Sequence, residues 1–257
     1  MTLDLAGLGG GEVRLEKSGD LATIYFSNPT VHNALSGRMM SQLGAAVDEL
    51  ASFNGSVVVV RGEGQSFCSG ADLRVVGKSL DSRDAGEQMS LHMQGVLERL
   101  RSLPLVSVAL IEGVVYGGGA ELMTACDHRL VSSDARIRFV QAKMGVSVGW
   151  GGGARLVDLV GREWAIRIMT TASVISPQEA KDIGLVTELF EPRMSDRALA
   201  EFIAPILKLP AASVRANKAA LCPPRGSTLE QIMSHERGIF SERWVSEERT
   251  LAMEKYK

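Results

Sequence analysis

Several residue patterns that mark common functional classes are missing from this sequence. Its three cysteines, Cys68, Cys126 and Cys222, are odd in number, widely spaced and never in a CxxC pair. That excludes a disulfide framework and a thiolate zinc site, and it fits a reducing compartment. The four histidines, His32, His92, His128 and His235, lack metal-ligand spacing, so no metal is expected. Lysine and arginine number 28 against 30 acidic residues, and no basic block stands out. A net charge of -2 gives no field for gathering nucleic acid, which is not expected as a partner. No apolar run approaches the length of a bilayer, and the N-terminus lacks a basic start followed by an apolar stretch. Neither a membrane partner nor a secretory signal is expected, and the expected location is cytoplasmic.

Nucleotide and hydrolase motifs are also missing. There is no GxxxxGK[ST] loop, and Ser69-Gly70 lies in SFCSGADL, outside any GxSxG elbow. Residues 149–154, GWGGGA, formally fit GxGxxA, but no strand precedes them and no acidic residue follows at the required place.

What remains is an ordinary balance for a folded chain: 257 residues, 45% hydrophobic and 23% charged, enough for one main domain with a small terminal addition. Val13, Leu15, Leu21, Ile24 and Phe26 fall in two strand-like runs around the turn Lys17–Asp20, a hairpin signal. Met40, Leu43, Val47 and Leu50 recur at helical spacing behind Ser36, a plausible N-cap. The β-branched run Val57–Val60 reads as a strand covered on both faces. A second round follows: a helix over Met89–Leu100, a break at Pro104, a buried strand over Leu105–Ile111, and a helix starting near Gly117–Gly119. Strands are expected at Arg129–Val131 and Arg136–Val140, and mainly helix from about Arg155. The expectation is an α/β core over residues 1–200 with a helical C-terminal region over 201–257.

Two glycine-bearing segments carry the chemistry. Ser66-Phe67-Cys68-Ser69-Gly70-Ala71-Asp72-Leu73 follows a buried strand, and Gly117-Gly118-Gly119-Ala120-Glu121-Leu122 stands where a strand gives way to a helix. Small residues at such ends let a ligand approach the backbone, and the unpaired N–H groups of a first helical turn favour negative charge. An isolated glycine triplet serves tight turns equally well; two such segments together point to an oxyanion hole.

These segments, with the later WGGGARLVDLVG, Asn28-Pro29, Asn33-Ala34-Leu35 and Ile175–Ala180 before Gly184-Leu185-Val186, resemble the signatures of the crotonase superfamily, the enoyl-CoA hydratases and isomerases, from roughly Val13 to Lys257. The resemblance implies a spiral of ββα units with a helical C-terminal trimerisation region, a homotrimer or a dimer of trimers, and an acyl-CoA thioester as partner. Coenzyme A enters as part of the substrate, so no separate cofactor is implied. Backbone N–H groups of Ala71 and Gly118 would flank the thioester oxygen. Ala34, Ser66, Cys68, Ser69, Gly70, Asp72, Leu73 and Gly117 would border the substrate, and Lys255 would approach the CoA phosphates.

Hydratases of that family use two glutamates about twenty residues apart. Glu121 matches the first, and ungapped counting puts Gln141, which has no carboxylate, at the second, with Lys143 or another residue as the alternative. Within the family, Met39-Met40, Leu103–Leu110, Ile137-Arg138-Phe139-Val140 and Trp150-Gly151-Gly152 are most similar to a branch that decarboxylates short malonyl-type thioesters such as ethylmalonyl-CoA and methylmalonyl-CoA. Val148, Gly149 and Gln141 depart from that branch. The implied roles are oxyanion donation by Ala71 and Gly118, and proton donation or organisation of a donor water by Glu121. Gln141 would be a charge-removing replacement, and Trp150 either an apolar wall or a packing residue. A hydratase or isomerase, or a silent acyl-CoA binder, are the alternatives.

Overall fold

A computed structural model describes residues 4–224 and 226–254. The expected hairpin forms from β1 (Glu12–Ser18) and β2 (Leu21–Ser27), paired antiparallel with Ser18 opposite Leu21. Strands β3 (Val57–Gly62), β4 (Val106–Ile111), β6 (His128–Ser132) and β8 (Glu188–Phe190) add in parallel, giving the order β1-β2-β3-β4-β6-β8. A second, two-stranded sheet pairs β5 (Val114–Tyr116) with β7 (Arg136–Arg138). Helices α1 (Gly37–Leu50), α2 (Leu73–Ser79), α3 (Arg83–Ser102) and α4 (Gly118–Met123) lie between the strands. They are followed by α5 (Gly152–Thr171), α6 (Pro177–Asp182), α7 (Ser195–Leu207), α8 (Ala211–Ala220), α9 (Leu229–Trp244) and α10 (Glu247–Glu254).

The valine run in β3 shows why the sheet is apolar throughout. Val58 and Val60 pack into the main core with Met39, Leu43, Val96 and Leu97, whereas Val57 and Val59 pack on the opposite face with Leu199 and Ile203 of α7. Side chains alternate across a strand, so a strand covered on both sides must be apolar at every position. Ser36 caps α1 as the sequence implies, its Oγ accepting the Met39 N–H at 3.2 Å.

The strand expected over Arg136–Val140 stops at Arg138, because Val140 already leads into a 3₁₀ turn, Gln141–Met144. The chain beyond Arg155 is not wholly helical: β8 completes the sheet edge, and Gly161, with φ 76° and ψ 164°, breaks α5 into two pieces. β5 and β8, each only three residues long, carry too little alternation to be read from pattern.

One buried side chain fixes the loop entering α1. Asn33 holds φ at 55°, its Oδ1 accepts the Asn28 N–H (2.9 Å), and its Nδ2 donates to Glu63 O (2.9 Å) and Ser66 O (2.6 Å). The loop carrying Ala34 is thereby tied to the loop that leads into the Ser66–Leu73 segment. Asn33→Ala would leave one N–H and two carbonyls without these partners. The expected destabilisation is about 3 kcal/mol, read as a lower urea midpoint with an unchanged slope. A loss below about 1 kcal/mol would show that the two loops hold together without it.

Candidate active site

The two glycine-bearing segments meet. Cys68 and Val115 form a parallel bridge, with Cys68 N–H donating to Val114 O (3.2 Å) and Tyr116 N–H to Cys68 O (3.0 Å). Close contact then depends on the missing side chains. A β-carbon on Gly119 would lie 2.1 Å from Cys68 O, and one on Gly70 would lie 3.0 Å from Gly118 N. Gly117 turns the chain at φ 51° and ψ −118°, a backbone conformation that effectively requires glycine.

At this junction two amides point away from the secondary structure. Leu35 N–H donates to Gly70 O (2.7 Å) and Asp72 N–H to Leu35 O (2.9 Å), a pattern that skips the Ala71 N–H. In α4 the Glu121 N–H takes Gly117 O (3.0 Å), so the Gly118 amide, at the first helical position, has no acceptor within the helix. Among the described residues neither amide has a backbone acceptor, and two free donors on abutting segments are what an oxyanion requires.

The rest of the Ser66–Leu73 segment divides by direction. Ser66 is buried with Oγ 2.9 Å from His32 Nδ1, and Cys68 is fully buried, its thiol pushed up to about 12 by burial, which makes it inert. Ser69 Oγ donates to Val31 O (2.9 Å), and the backbone of Ala34 is held by Asn28 Nδ2 (3.0 Å). Asp72 is buried and pairs with Arg74 (2.9 Å), which holds its carboxyl below the ordinary value. Leu73 is 60% exposed, an apolar side chain left open beside Ala71. Lys255 lies outside the described residues.

Glu121 is 2% exposed, and its carboxylate accepts four hydrogen bonds. Oε1 takes Gln141 Nε2 (2.9 Å) and Gly149 N–H (3.3 Å); Oε2 takes Trp150 N–H (2.8 Å) and Gly152 N–H (2.9 Å). Every donor is an N–H, so the arrangement suits an acceptor-only carboxylate. Gln141 and not the exposed Lys143 stands beside Glu121. Because Nε2 must face the carboxylate, Oε1 of Gln141 is turned elsewhere, buried and without a partner among the described residues. The Trp150 ring lies against Gly118: a β-carbon there would sit 2.4 Å from it.

Sequence reading did not identify the residues that hold the 149–152 loop from outside. Ser90 Oγ (2.5 Å) and Gln94 Nε2 (2.9 Å), both from α3, donate to Gly149 O. Buried Arg155 donates to Trp150 O and to Thr124 Oγ1. The one available signal was an arginine four residues past Gly151, inside an otherwise apolar segment. No group of three His, Cys, Asp or Glu side chains that would hold a metal converges among the described residues.

Residues 16–257 match the family model described as enoyl-CoA hydratase/isomerase. The chain is 42% identical over 243 residues to ethylmalonyl-CoA decarboxylase of Danio rerio, covering 91% of this chain and 80% of that protein. It is 40% identical over 245 residues to ethylmalonyl-CoA decarboxylase of Xenopus laevis, with 93% and 81% covered. Among solved structures it is similar to a Thermobifida fusca YX protein, a candidate enoyl-CoA hydratase in complex with CoA. That match has a TM-score of 0.81 and 30% identity over 95% of this chain and 96% of that one.

The contact between Trp150 and Gly118 yields a direct test of packing. Gly118→Ala should destabilise the fold by about 1–3 kcal/mol through overpacking, and most of that loss should vanish when Trp150 is also Ala. Chemical unfolding of the four proteins in the cycle measures it. Additive effects would mean that the ring and the glycine are not in contact.

Proposed function

The chain belongs to the enoyl-CoA hydratase/isomerase family, and on that premise we propose that it decarboxylates short malonyl-type CoA thioesters such as ethylmalonyl-CoA and methylmalonyl-CoA. One observation carries this reading. Glu121, on the helix that carries the Gly118 amide, is turned inward onto four N–H donors, one of them the neutral side-chain amide of Gln141, while Asp72 beside Ala71 is paired with Arg74. A malonyl-type substrate brings its own negative charge. A free enzyme carboxylate about 4 Å away would repel it by about 4 kcal/mol at an effective dielectric of 20. Gln141 removes that repulsion, and Glu121 has its charge engaged elsewhere. The relatives named as ethylmalonyl-CoA decarboxylases support the same reading.

The chemistry then follows. The thioester oxygen accepts from Ala71 N–H and Gly118 N–H, the bond between the α-carbon and the carboxylate breaks, and its electron pair passes into the enolate. The charge gathers on the thioester oxygen, where preorganised donors act; one such donor contributes about 3 kcal/mol. The Trp150 ring walls the site with apolar surface, which favours loss of the charged carboxylate as neutral carbon dioxide. A water then gives its proton to the α-carbon, and the hydroxide left behind combines with carbon dioxide as bicarbonate. With both carboxylate oxygens engaged, Glu121 serves this sequence by holding the loop in place. Ala34, Gly70, Leu73 and Gly117 border the acyl-CoA, whose coenzyme A portion arrives with the substrate.

The same reading places the protein in the cytoplasm as a homotrimer or dimer of trimers. In support of assembly, α9 and α10 bury none of their described residues, and Phe240, Trp244 and Leu251 stand exposed on them, with Val245 exposed between them.

Incubation with ethylmalonyl-CoA, methylmalonyl-CoA, crotonyl-CoA and a 3-enoyl-CoA, followed by mass spectrometry, tests the reaction. Butyryl-CoA and propionyl-CoA are expected from the first two. Hydration or a double-bond shift without loss of carbon dioxide would make the chain a hydratase or isomerase, and binding without turnover a silent binder. Glu121→Gln would replace one acceptor oxygen by a donor facing other donors. It should lower decarboxylation at least about tenfold by loosening the loop, tenfold being the weight of about one buried hydrogen bond. Unchanged turnover would remove Glu121 from this role.

A further inference from the structure

The loop that presents Trp150 is gripped at one residue, through the two peptide units that flank its α-carbon. Trp150 N–H donates to Glu121 Oε2 at 2.8 Å, and Trp150 C=O accepts from Arg155 Nη2 at 2.7 Å. The same guanidinium reaches back to α4: Nη2 donates to Glu121 O (3.2 Å) and Nε to Thr124 Oγ1 (3.0 Å), while Thr124 Oγ1 itself donates to Glu121 O (2.6 Å). Arg155 is only 4% exposed and stands in the first turn of α5, where a cation opposes the helix dipole. A buried cation in an unfavourable place calls for a compensating role, and Arg155 hydrogen-bonds to Glu121, Thr124 and Trp150.

Steric contacts leave the loop little room. A β-carbon on Gly151 would lie 2.9 Å from Arg155 Nη1, one on Gly152 would lie 2.4 Å from Glu121 Cγ, and one on Gly118 would lie 2.4 Å from the Trp150 ring. The ring is therefore fixed by its own backbone, by the floor beneath it and by the two charged side chains that close on that backbone.

We propose that Glu121 and Arg155 form a two-sided clamp on the Trp150 backbone, one on its N–H and the other on its C=O, and that Arg155 is a positioning residue which sets the ring's height over Gly118 and hence the size of acyl branch the site accepts. This rests on the reading that the Trp150 ring walls the acyl group. Lysine cannot replace the arginine, because a single ammonium lacks the planar fork that reaches Thr124 Oγ1 and the two carbonyls together.

The test uses the full-length enzyme and compares kcat/KM for methylmalonyl-CoA and ethylmalonyl-CoA in the wild type, Arg155→Lys, Thr124→Val, Trp150→Phe and the Arg155→Lys/Trp150→Phe pair. Arg155→Lys should shift the ratio of the two substrates at least about threefold, Thr124→Val less in the same direction, and the shift should largely disappear in the Trp150→Phe background. A general structural defect would lower both substrates alike. Trp150 fluorescence, isolated by Trp164→Phe and Trp244→Phe, should change with Arg155→Lys and provides a readout without turnover. An unchanged ratio with unchanged fluorescence, or a shift that survives in the Trp150→Phe background, would overturn the clamp. Failure of the wild type to decarboxylate either substrate would instead refute the proposed reaction, and the fluorescence would still decide whether Arg155 sets the ring. If Arg155→Lys does not fold, Thr124→Val alone carries the comparison.

Discussion

A carboxylate withdrawn from water must be surrounded by donors, and the site is organised around the one at Glu121. Leaving such an anion unpaired in the interior would cost several kcal/mol. The chain meets this with three backbone N–H groups of the 149–152 loop and one from Gln141. The consequence runs outward: a glycine-rich loop that would otherwise have many conformations is folded onto α4. Its tryptophan then comes to rest on the first residue of the same helix. The acid-base residue types at the site thus shape a wall, and in the proposed mechanism the chemistry falls to backbone amides.

Those amides owe their position to what the chain omits. At Gly70, Gly118 and Gly119 the neighbouring backbone or ring stands where a β-carbon would be, so the strand end and the helix start approach more closely than side chains would permit. The Ala71 and Gly118 donors are left over from the bridge at Leu35 and from the first turn of α4. Being fixed by the sheet and helix, they need little reorganisation when charge develops on a thioester oxygen, which is where the effectiveness of preorganised donors lies. Under the proposed mechanism, the neutrality of Gln141 and the engaged charges of Glu121 and Asp72 lower the repulsion that a malonyl carboxylate would meet.

Much of this was legible in the residues. The run Val57–Val60 identified a strand covered on both faces, Ser36 marked the start of α1, and two glycine segments at strand ends pointed to one site. Counting twenty residues from Glu121 located Gln141 beside it. Other features were hidden for physical reasons. Three-residue strands such as β5 and β8 carry no readable period, and Gly161 breaks α5 where the surrounding pattern stays helical. Hydrogen-bond saturation of Glu121 depends on a loop 28 to 31 residues away, which no local pattern reports. Arg155 was legible only as the approximate start of a helical stretch, and the folded loop shows that it is buried.

The most direct measurement of the central claim is a crystal structure with a malonyl-type thioester analogue that cannot lose carbon dioxide. The account predicts the thioester oxygen about 3 Å from both Ala71 N and Gly118 N, with the carboxylate directed to the Trp150 and Gln141 side and Glu121 still bonded to its loop. A thioester oxygen resting on other groups, or a Glu121 carboxylate turned out of its loop toward the substrate, would contradict it.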